Sequence, residues 1–481
     1  MNLRVVSRLT ALIIGIVAML LLVPTALGVY DRQPRTVAAY AAAMALAAIL
    51  AVILRGLGRN APDEIHRKDA LGVVALTWMG LGLIGGIPFV LEGSIPHPAS
   101  ALFEAVSGFT TTGASVVSDI DGLTRATNLW RCLMHWIGGM GIVVLFVAVF
   151  PQLGVGAKHL FRSEVPGPIT EGLRPKIKQT ATSLWWIYAG LTLLAGLLLV
   201  AAGMPVFDAV CHAMSVLATG GFSSRGASLG AYDNPTVHWI IIAFMLVGGI
   251  NFGLYFGLLR GRWRAFVRNY ELRFWLLINV SVVALLTVCI VSTHGSTLDA
   301  LRHAAFQTLA VTTTTGFATE DFDVYPEVAR FALFLCMFMG GCAGSTSAGL
   351  KASRVYIMGK MVVLELTTLL RPHAVETVRA GRSSIAADVA RGVTTFFAVY
   401  MLLFAVVSFC LVALGLDLIT GMSATIACIS GVGPGLGGVG PAQNYALVPA
   451  AGKVLLSLCM IAGRLEIFAL FAIFSRETWR R

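Results

Sequence analysis

The sequence predicts an all-α polytopic membrane protein. Four parallel repeats of helix, pore half-helix, loop and helix form a pseudo-fourfold arrangement, preceded by two N-terminal helices. Three observations carry this expectation. The 481 residues are 57% hydrophobic and only 12% charged, with a mean hydropathy of +0.82, far outside the composition of soluble domains. A short Gly/Thr-rich loop recurs four times between apolar segments, at Thr110–Gly113, Ala218–Phe222, Thr312–Phe317 and Gly431–Gly435. Basic residues load every second connection, as the positive-inside rule requires of cytoplasmic loops.

Ten apolar runs approach the roughly 20 residues needed to span a bilayer: 9–29, 36–54, 70–91, 130–150, 183–203, 236–259, 274–293, 329–350, 393–415 and 452–474. The first two, within 1–68, lie outside the repeats, which run 69–156, 157–265, 266–370 and 371–481. The first run follows Arg4 and Arg8, but it is long for a signal-peptide core and lacks a small-residue cleavage site, so it reads as a retained helix. Shorter apolar stretches at 98–109, 205–218, 298–311 and 417–430 precede the four loops. They cannot cross a bilayer and suit re-entrant half-helices, whose loops must line water or be packed in protein.

The net charge of +11 is distributed by topology rather than gathered for a nucleic acid. Arg55, Arg59, Arg67 and Lys68 form one basic loop, and Lys158, Arg162, Arg174, Lys176 and Lys178 the next but one. Arg260, Arg262, Arg264 and Arg268 continue the pattern, then Arg354, Lys360, Arg371, Arg379 and Arg382, then Arg476, Arg480 and Arg481. Both termini are therefore expected in the cytoplasm. The intervening connections carry Asp119, Asp121, Glu320, Asp321, Asp323 and Glu327, an acidic outer mouth that would attract cations. Each repeat begins and ends at a basic loop, so the units are parallel. That suits a pore on an axis along the membrane normal rather than the inverted repeats of many carriers.

The loop glycines Gly113, Gly220, Gly316 and Gly433 lie 107, 96 and 117 residues apart, a tandem repeat of roughly 110 residues. A ring of four backbone-lined loops can replace the hydration shell of a potassium ion with carbonyl oxygens. Glycine permits the close approach, and threonine hydroxyls add ligands or brace the loop. The candidate ion-binding set is Thr111, Thr112, Gly113, Thr219, Gly220, Thr315, Gly316, Val432 and Gly433.

The last span of each repeat carries small residues, at Gly138-Gly139, Gly248-Gly249, Gly340-Gly341 and Ala462-Gly463. In the third alone the pattern extends through Gly344, Ser345, Thr346 and Gly349, too rich in glycine and hydroxyls to remain a regular helix. It reads as a broken helix beneath the loops. Arg464 lies inside the final span, where an ionisable group is costly and usually functional. With Lys351 it is a candidate electrostatic barrier; Glu466, Glu365 or a carbonyl would be its partner in a purely structural role.

Other signals are excluded. The eight cysteines show no CxxC spacing, which argues against disulfides and structural zinc. Gly433, Gly435 and Gly438 formally match a dinucleotide fingerprint, and Gly344–Lys351 narrowly misses a phosphate-binding loop, but neither sits in a soluble strand-turn-helix unit. His135 and His212 read as packing or hydrogen-bonding residues. No catalytic constellation emerges, so the chain is not expected to be an enzyme.

Taken together, Thr110–Ser115, Ala218–Ser223, Thr312–Phe322, Gly340–Lys351, Gly433–Leu436 and Gly463–Phe468 resemble the potassium-translocating subunits of the Trk/Ktr/HKT superfamily, most closely the bacterial TrkH type. The resemblance covers essentially the whole chain. It implies a filter centred on Gly113, Gly220, Gly316 and Gly433, with glycine at the first position favouring potassium over sodium. It implies an intramembrane gating loop at 340–350, placing Gly340, Gly341, Gly344, Ser345, Thr346, Gly349, Lys351 and Arg464 in the gate. It also implies a homodimer in the bacterial inner membrane, regulated by a cytoplasmic nucleotide-binding ring of TrkA type. No cofactor is expected within the chain, potassium being the transported ion. Gly431 departs from the asparagine common in related proteins. The alternatives are a sodium-permeable or sodium- or proton-coupled cation symporter of the same architecture, an alternating-access carrier, and a non-transporting scaffold.

Overall fold

A computed structural model of the chain describes residues 1–62, 66–148, 173–371, 377–381, 383–465 and 467. The two N-terminal helical segments are Leu3–Tyr30, interrupted at Leu21, and Pro34–Leu57. They pack on each other and on the outer helix of the first repeat, Arg67–Glu92. That outer helix has 61% of its apolar window buried. The outer helices Tyr270–His294 and Ala387–Ala413 have only 22% and 33% buried. Lipid is as apolar as a leucine side chain, so these exposed faces suit a bilayer. Among the described residues, six helices are long and apolar enough to cross a membrane, and a seventh candidate is bent.

The four half-helices appear where the apolar stretches placed them: Pro98–Phe109, Val206–Leu217, Thr297–Thr312 and Leu418–Ser430. Their starts follow local chemistry. Pro98 occupies the first turn of one, where its missing N–H costs nothing. Asp417 caps another, its carboxylate accepting from the Thr420 amide at 3.0 Å. All four are buried along most of their length and all end at the Gly/Thr loops, where the partial negative charge of a helix C-terminus favours a cation.

Two expected spans are not continuous helices. Residues 329–350 give a helix only over Glu327–Cys336, and the chain then runs irregularly to a new helix at Ala352–Leu370. Residues 236–259 also break, into Pro235–Gly249 and Phe252–Leu259 at 94° to one another. The sequence reading assigned a break to the third repeat alone. Asn251 explains the second one, since its side chain caps the new helix by accepting from the Gly253 amide at 2.7 Å. Among the described residues the β-structure is a minimal antiparallel pair, Arg379↔Ser384 and Ala380↔Ser383, and an isolated parallel bridge between Met339 and Leu350. The repeat boundary at 156/157, the basic residues Lys158 and Arg162, and the tail arginines Arg476, Arg480 and Arg481 lie outside the described residues.

Candidate functional site: a ring of four loops above two interlocked helix breaks

Each half-helix ends in the same three-residue backbone motif. Its first position has positive φ: Thr111 (55°), Thr219 (52°), Thr314 (56°) and Gly431 (71°). Its middle position donates its amide to the carbonyl five residues back: Thr112 to Ser107, Gly220 to Ser215, Thr315 to Ala310 and Val432 to Ala427, all at 2.8–2.9 Å. Its third position is a glycine of positive φ: Gly113 (80°), Gly221 (83°), Gly316 (76°) and Gly433 (93°). In an ordinary strand successive residues face opposite sides; a left-handed residue on each side of the middle one breaks that alternation.

This corrects the register of the second loop. Its counterpart to Gly113, Gly316 and Gly433 is Gly221, not Gly220, and Gly220 occupies the middle position with Thr112, Thr315 and Val432. The missed signal was the Gly-Phe dipeptide shared by Gly221-Phe222 and Gly316-Phe317. Glycine stands at 220 because the His135 imidazole lies where a Cβ would be. That ring also bonds Ser215 Oγ at 2.9 Å and stacks on Phe222 with centroids 4.1 Å apart. Thr314 takes the place of Thr111 and Thr219, so the sequence reading missed it as well.

The four motifs close into a ring. A Cβ on Gly113 would strike the Gly220 carbonyl, one on Gly221 the Thr315 carbonyl, one on Gly316 the Val432 carbonyl, and one on Gly433 the Thr112 carbonyl. Each third-position glycine thus abuts the middle carbonyl of the next repeat, and the cycle ends where it began. In the fourth loop the Gly433 carbonyl itself accepts from the Tyr445 hydroxyl at 2.7 Å. The three left-handed threonines each cost about 1–2 kcal/mol of backbone strain. Such strain persists where the surroundings over-determine a functional geometry. At Gly431 the same conformation is free of it.

The strands leaving the ring are braced from the half-helices behind them. Glu104 accepts from Ser115 Oγ at 2.9 Å and the Val116 amide at 2.8 Å. It pairs with Arg131 at 2.9 Å, both side chains being essentially inaccessible. Arg131 also reaches the Ser223 carbonyl at 3.2 Å and covers the Phe222 ring, tying the first loop to the second. His212 bonds Ser223 Oγ at 2.9 Å, Gln307 donates to the Glu320 carbonyl at 3.2 Å, and Ser423 donates to the Leu436 carbonyl at 2.8 Å. His135 and His212 are therefore hydrogen-bonded packing residues. Of the acids expected at an outer mouth, Asp121 pairs with Arg225 at 3.6 Å, and Asp323 and Glu327 pair with Arg330 at 2.8 Å each.

Beneath the ring, the irregular segment of the third repeat lodges in the break of the second. Where the helix Pro235–Gly249 stops, the Gly248 and Gly249 carbonyls lose their helical partners. The amides of Thr346 and Cys342 fill them at 3.3 and 2.8 Å. Thr346 Oγ1 adds bonds to the Leu217 and Gly248 carbonyls at 3.0 and 3.1 Å. The segment is pinned to itself by Gly340 N to Leu350 O at 2.8 Å and Ser345 Oγ to Ser347 Oγ at 3.2 Å. Gly344 and Gly349 both have positive φ, and Gly341 packs so closely on Gly249 that a Cβ would collide. The segment touches the ring through Ala348 N to Thr314 Oγ1 at 2.9 Å.

Three charged groups hold this segment. Glu271, absent from the sequence reading, accepts from the Ala343 and Ser353 amides at 2.7 and 3.0 Å. Lys351 Nζ donates to the Ser347 carbonyl. Arg464, buried at the end of its helix, donates to the Thr346 carbonyl at 2.7 Å and more weakly to the Gly138 carbonyl at 3.4 Å. Its partners are thus carbonyls, and Glu466 lies outside the described residues.

A family model described as TrkH, cation transport protein, matches residues 39–479. The Trk system potassium uptake protein TrkH of Halomonas elongata is 36% identical, with all of each chain covered. The protein of the same name from Escherichia coli K12 is 35% identical, again over the whole of both. The crystal structure of the potassium transporter TrkH from Vibrio parahaemolyticus superposes with a TM-score of 0.91 at 32% identity, covering all of both chains. This multi-pass membrane protein belongs to the TrkH family of cation transport proteins.

Proposed function

We propose that the chain is a potassium uptake protein whose ring of middle-position carbonyls at Thr112, Gly220, Thr315 and Val432 is the selectivity filter. The closed contact cycle between these carbonyls and Gly113, Gly221, Gly316 and Gly433 carries this reading. Four carbonyls in a ring offer a dehydrated cation an oxygen cage without fixed charge, while the half-helix dipoles add favourable potential. Thr111, Thr219 and Thr314 stand at the lower edge of the ring. The segment 340–350 is the gate, and Arg464 holds it closed and places a positive charge below the filter. The orientation with both termini cytoplasmic, the homodimer and the nucleotide-binding ring of TrkA type in a bacterial inner membrane complete the proposal. They rest on charge distribution and family likeness. Transport would follow the membrane potential, worth about 2.3 kcal/mol per charge per 100 mV.

Rubidium uptake into proteoliposomes, competed by potassium and by sodium, tests the selectivity; equal block by both cations would sink it in favour of the sodium-permeable alternative. Deleting five residues within 341–349, or Arg464→Ala, is expected to raise flux in the resting protein. Unchanged or reduced flux from folded protein would refute the gate. Reversal potentials under imposed potassium, sodium and proton gradients separate a channel from a coupled symporter.

A further inference from the structure

Three side chains with metal-ligand chemistry meet at the mouth of the third repeat, outside the ring: His294, His303 and Glu320, their ligand atoms all within 4.8 Å of one another. They come from three elements. His294 ends the outer helix Tyr270–His294, His303 lies in the half-helix Thr297–Thr312, and Glu320 follows the ring glycine Gly316 by four residues. All three are partly exposed, so a solvent-side entry path exists.

The hydrogen bonds around them fix their lone pairs. His294 Nδ1 lies 3.0 Å from the Ile290 carbonyl. A carbonyl only accepts, so the ring's proton is on Nδ1 and the lone pair of Nε2 faces Glu320 Oε2 at 3.0 Å. Two acceptors at that distance need a cation between them, either a second proton on the imidazole or a metal ion. Donation of the far ring N–H to a backbone carbonyl is also the usual orienting contact of a metal-bound histidine. The Tyr325 hydroxyl occupies Glu320 Oε1, leaving Oε2 for a ligand role. His303 Nδ1 completes the group, 3.5 Å from Glu320 Oε2. The neighbouring His238, whose Nε2 lies 3.2 Å from the Leu229 carbonyl, is not among the three residues whose ligand atoms converge.

We propose that His294, His303 and Glu320 bind a divalent transition-metal ion of zinc type, with water at the fourth position. Two imidazoles and one carboxylate leaving one open coordination site form a set that zinc accepts. Arg302 opposes binding. Its Nη2 lies 3.2 Å from His303 Nε2, which requires the lone pair there and puts the ring's proton on Nδ1, near Thr319 Oγ1 at 3.0 Å. Its Nη1 is held by Asp299 at 2.9 Å. Metal binding at Nδ1 therefore displaces that proton and moves the imidazole N–H to the side that Arg302 occupies.

The test is calorimetric titration of the purified full-length protein with zinc chloride, independent of any transport reading. One ion per chain is expected, with proton release that shows as a heat dependent on the buffer's ionisation enthalpy. His294→Ala, His303→Ala and Glu320→Gln should each weaken binding more than about tenfold. Arg302→Gln should tighten it, and His97→Ala, an exposed histidine elsewhere, should leave it unchanged. Absence of binding to the parent protein, or equal loss in His97→Ala, overturns the proposal. Should a ligand variant fail to fold, cobalt(II) added to the parent protein decides: intense visible absorption of a tetrahedral site supports it, and the weak absorption of an octahedral ion refutes it.

Discussion

Replacing Gly221 by alanine tests the register of the ring. The residue sits at φ 83°, where a side chain costs about 1–2 kcal/mol. The new Cβ would also strike the Thr315 carbonyl of the neighbouring loop. If the ring relieves this by tilting that carbonyl off the axis, the lost potassium preference should be of the same order, a factor of about 5–30. The assay is rubidium uptake in proteoliposomes with potassium and sodium as competitors. Gly220→Ala provides the contrast, because its Cβ meets the His135 side chain rather than a neighbouring backbone. Gly220→Ala combined with His135→Ala should therefore recover much of the discrimination that Gly220→Ala loses, a coupling that a double-mutant cycle isolates. Parent-like selectivity in Gly221→Ala, with loss in Gly220→Ala that removing the imidazole does not relieve, would refute the assignment and restore Gly220 as the ring glycine.

Breaking the Glu104–Arg131 pair by Arg131→Ala leaves a buried carboxylate and should cost about 3–5 kcal/mol, read as a lowered thermal midpoint in detergent. Glu104→Gln with Arg131→Met should recover part of it, and additive losses would refute the pairing. Glu271→Ala removes the acceptor of the Ala343 and Ser353 amides, so the segment 340–350 should loosen and resting rubidium flux should rise; unchanged flux would show that the segment does not gate. Hydrogen bonds to Thr420 lower the Asp417 carboxyl from its ordinary 3.8. Because the folded-state value is depressed, its capping contribution is complete above the unfolded value and lost as pH falls through the folded one. Asp417→Asn should accordingly lose the charge's share of the cap at pH 7 and converge with the parent at acidic pH, whereas a difference that does not change with pH would contradict the titration.

Much of the architecture is readable from composition and period alone. An apolar run of spanning length has few alternatives to a helix in lipid, because every backbone polar group must be satisfied within the segment. Hence the half-helices at Pro98–Phe109 and Leu418–Ser430 begin and end within a residue or so of their apolar stretches. The four loops are legible from their third-position glycines, which adopt the positive φ found there without strain.

The register of the second loop and the break at Ile250–Asn251 were decided by contacts between repeats. The Gly-Phe dipeptide points to Gly221, and the His135 ring behind Gly220 and the Thr315 carbonyl beside Gly221 decide it, residues 85 and 94 positions away along the chain. The helix break looked like a continuous apolar span because its cost is met by Cys342 and Thr346 of another repeat, which hydropathy cannot register. Glu271 and Glu104 were passed over likewise: a lone acid at the start of a span or inside a half-helix shows its role only when the fold brings the amides and the arginine it meets. The sequence by itself determined the number, direction and chemistry of the four loops, because those follow from local backbone freedom and from the bilayer. The tertiary structure decided which atom of each loop faces the next and what is locked beneath them, because close approach between distant segments is set by packing.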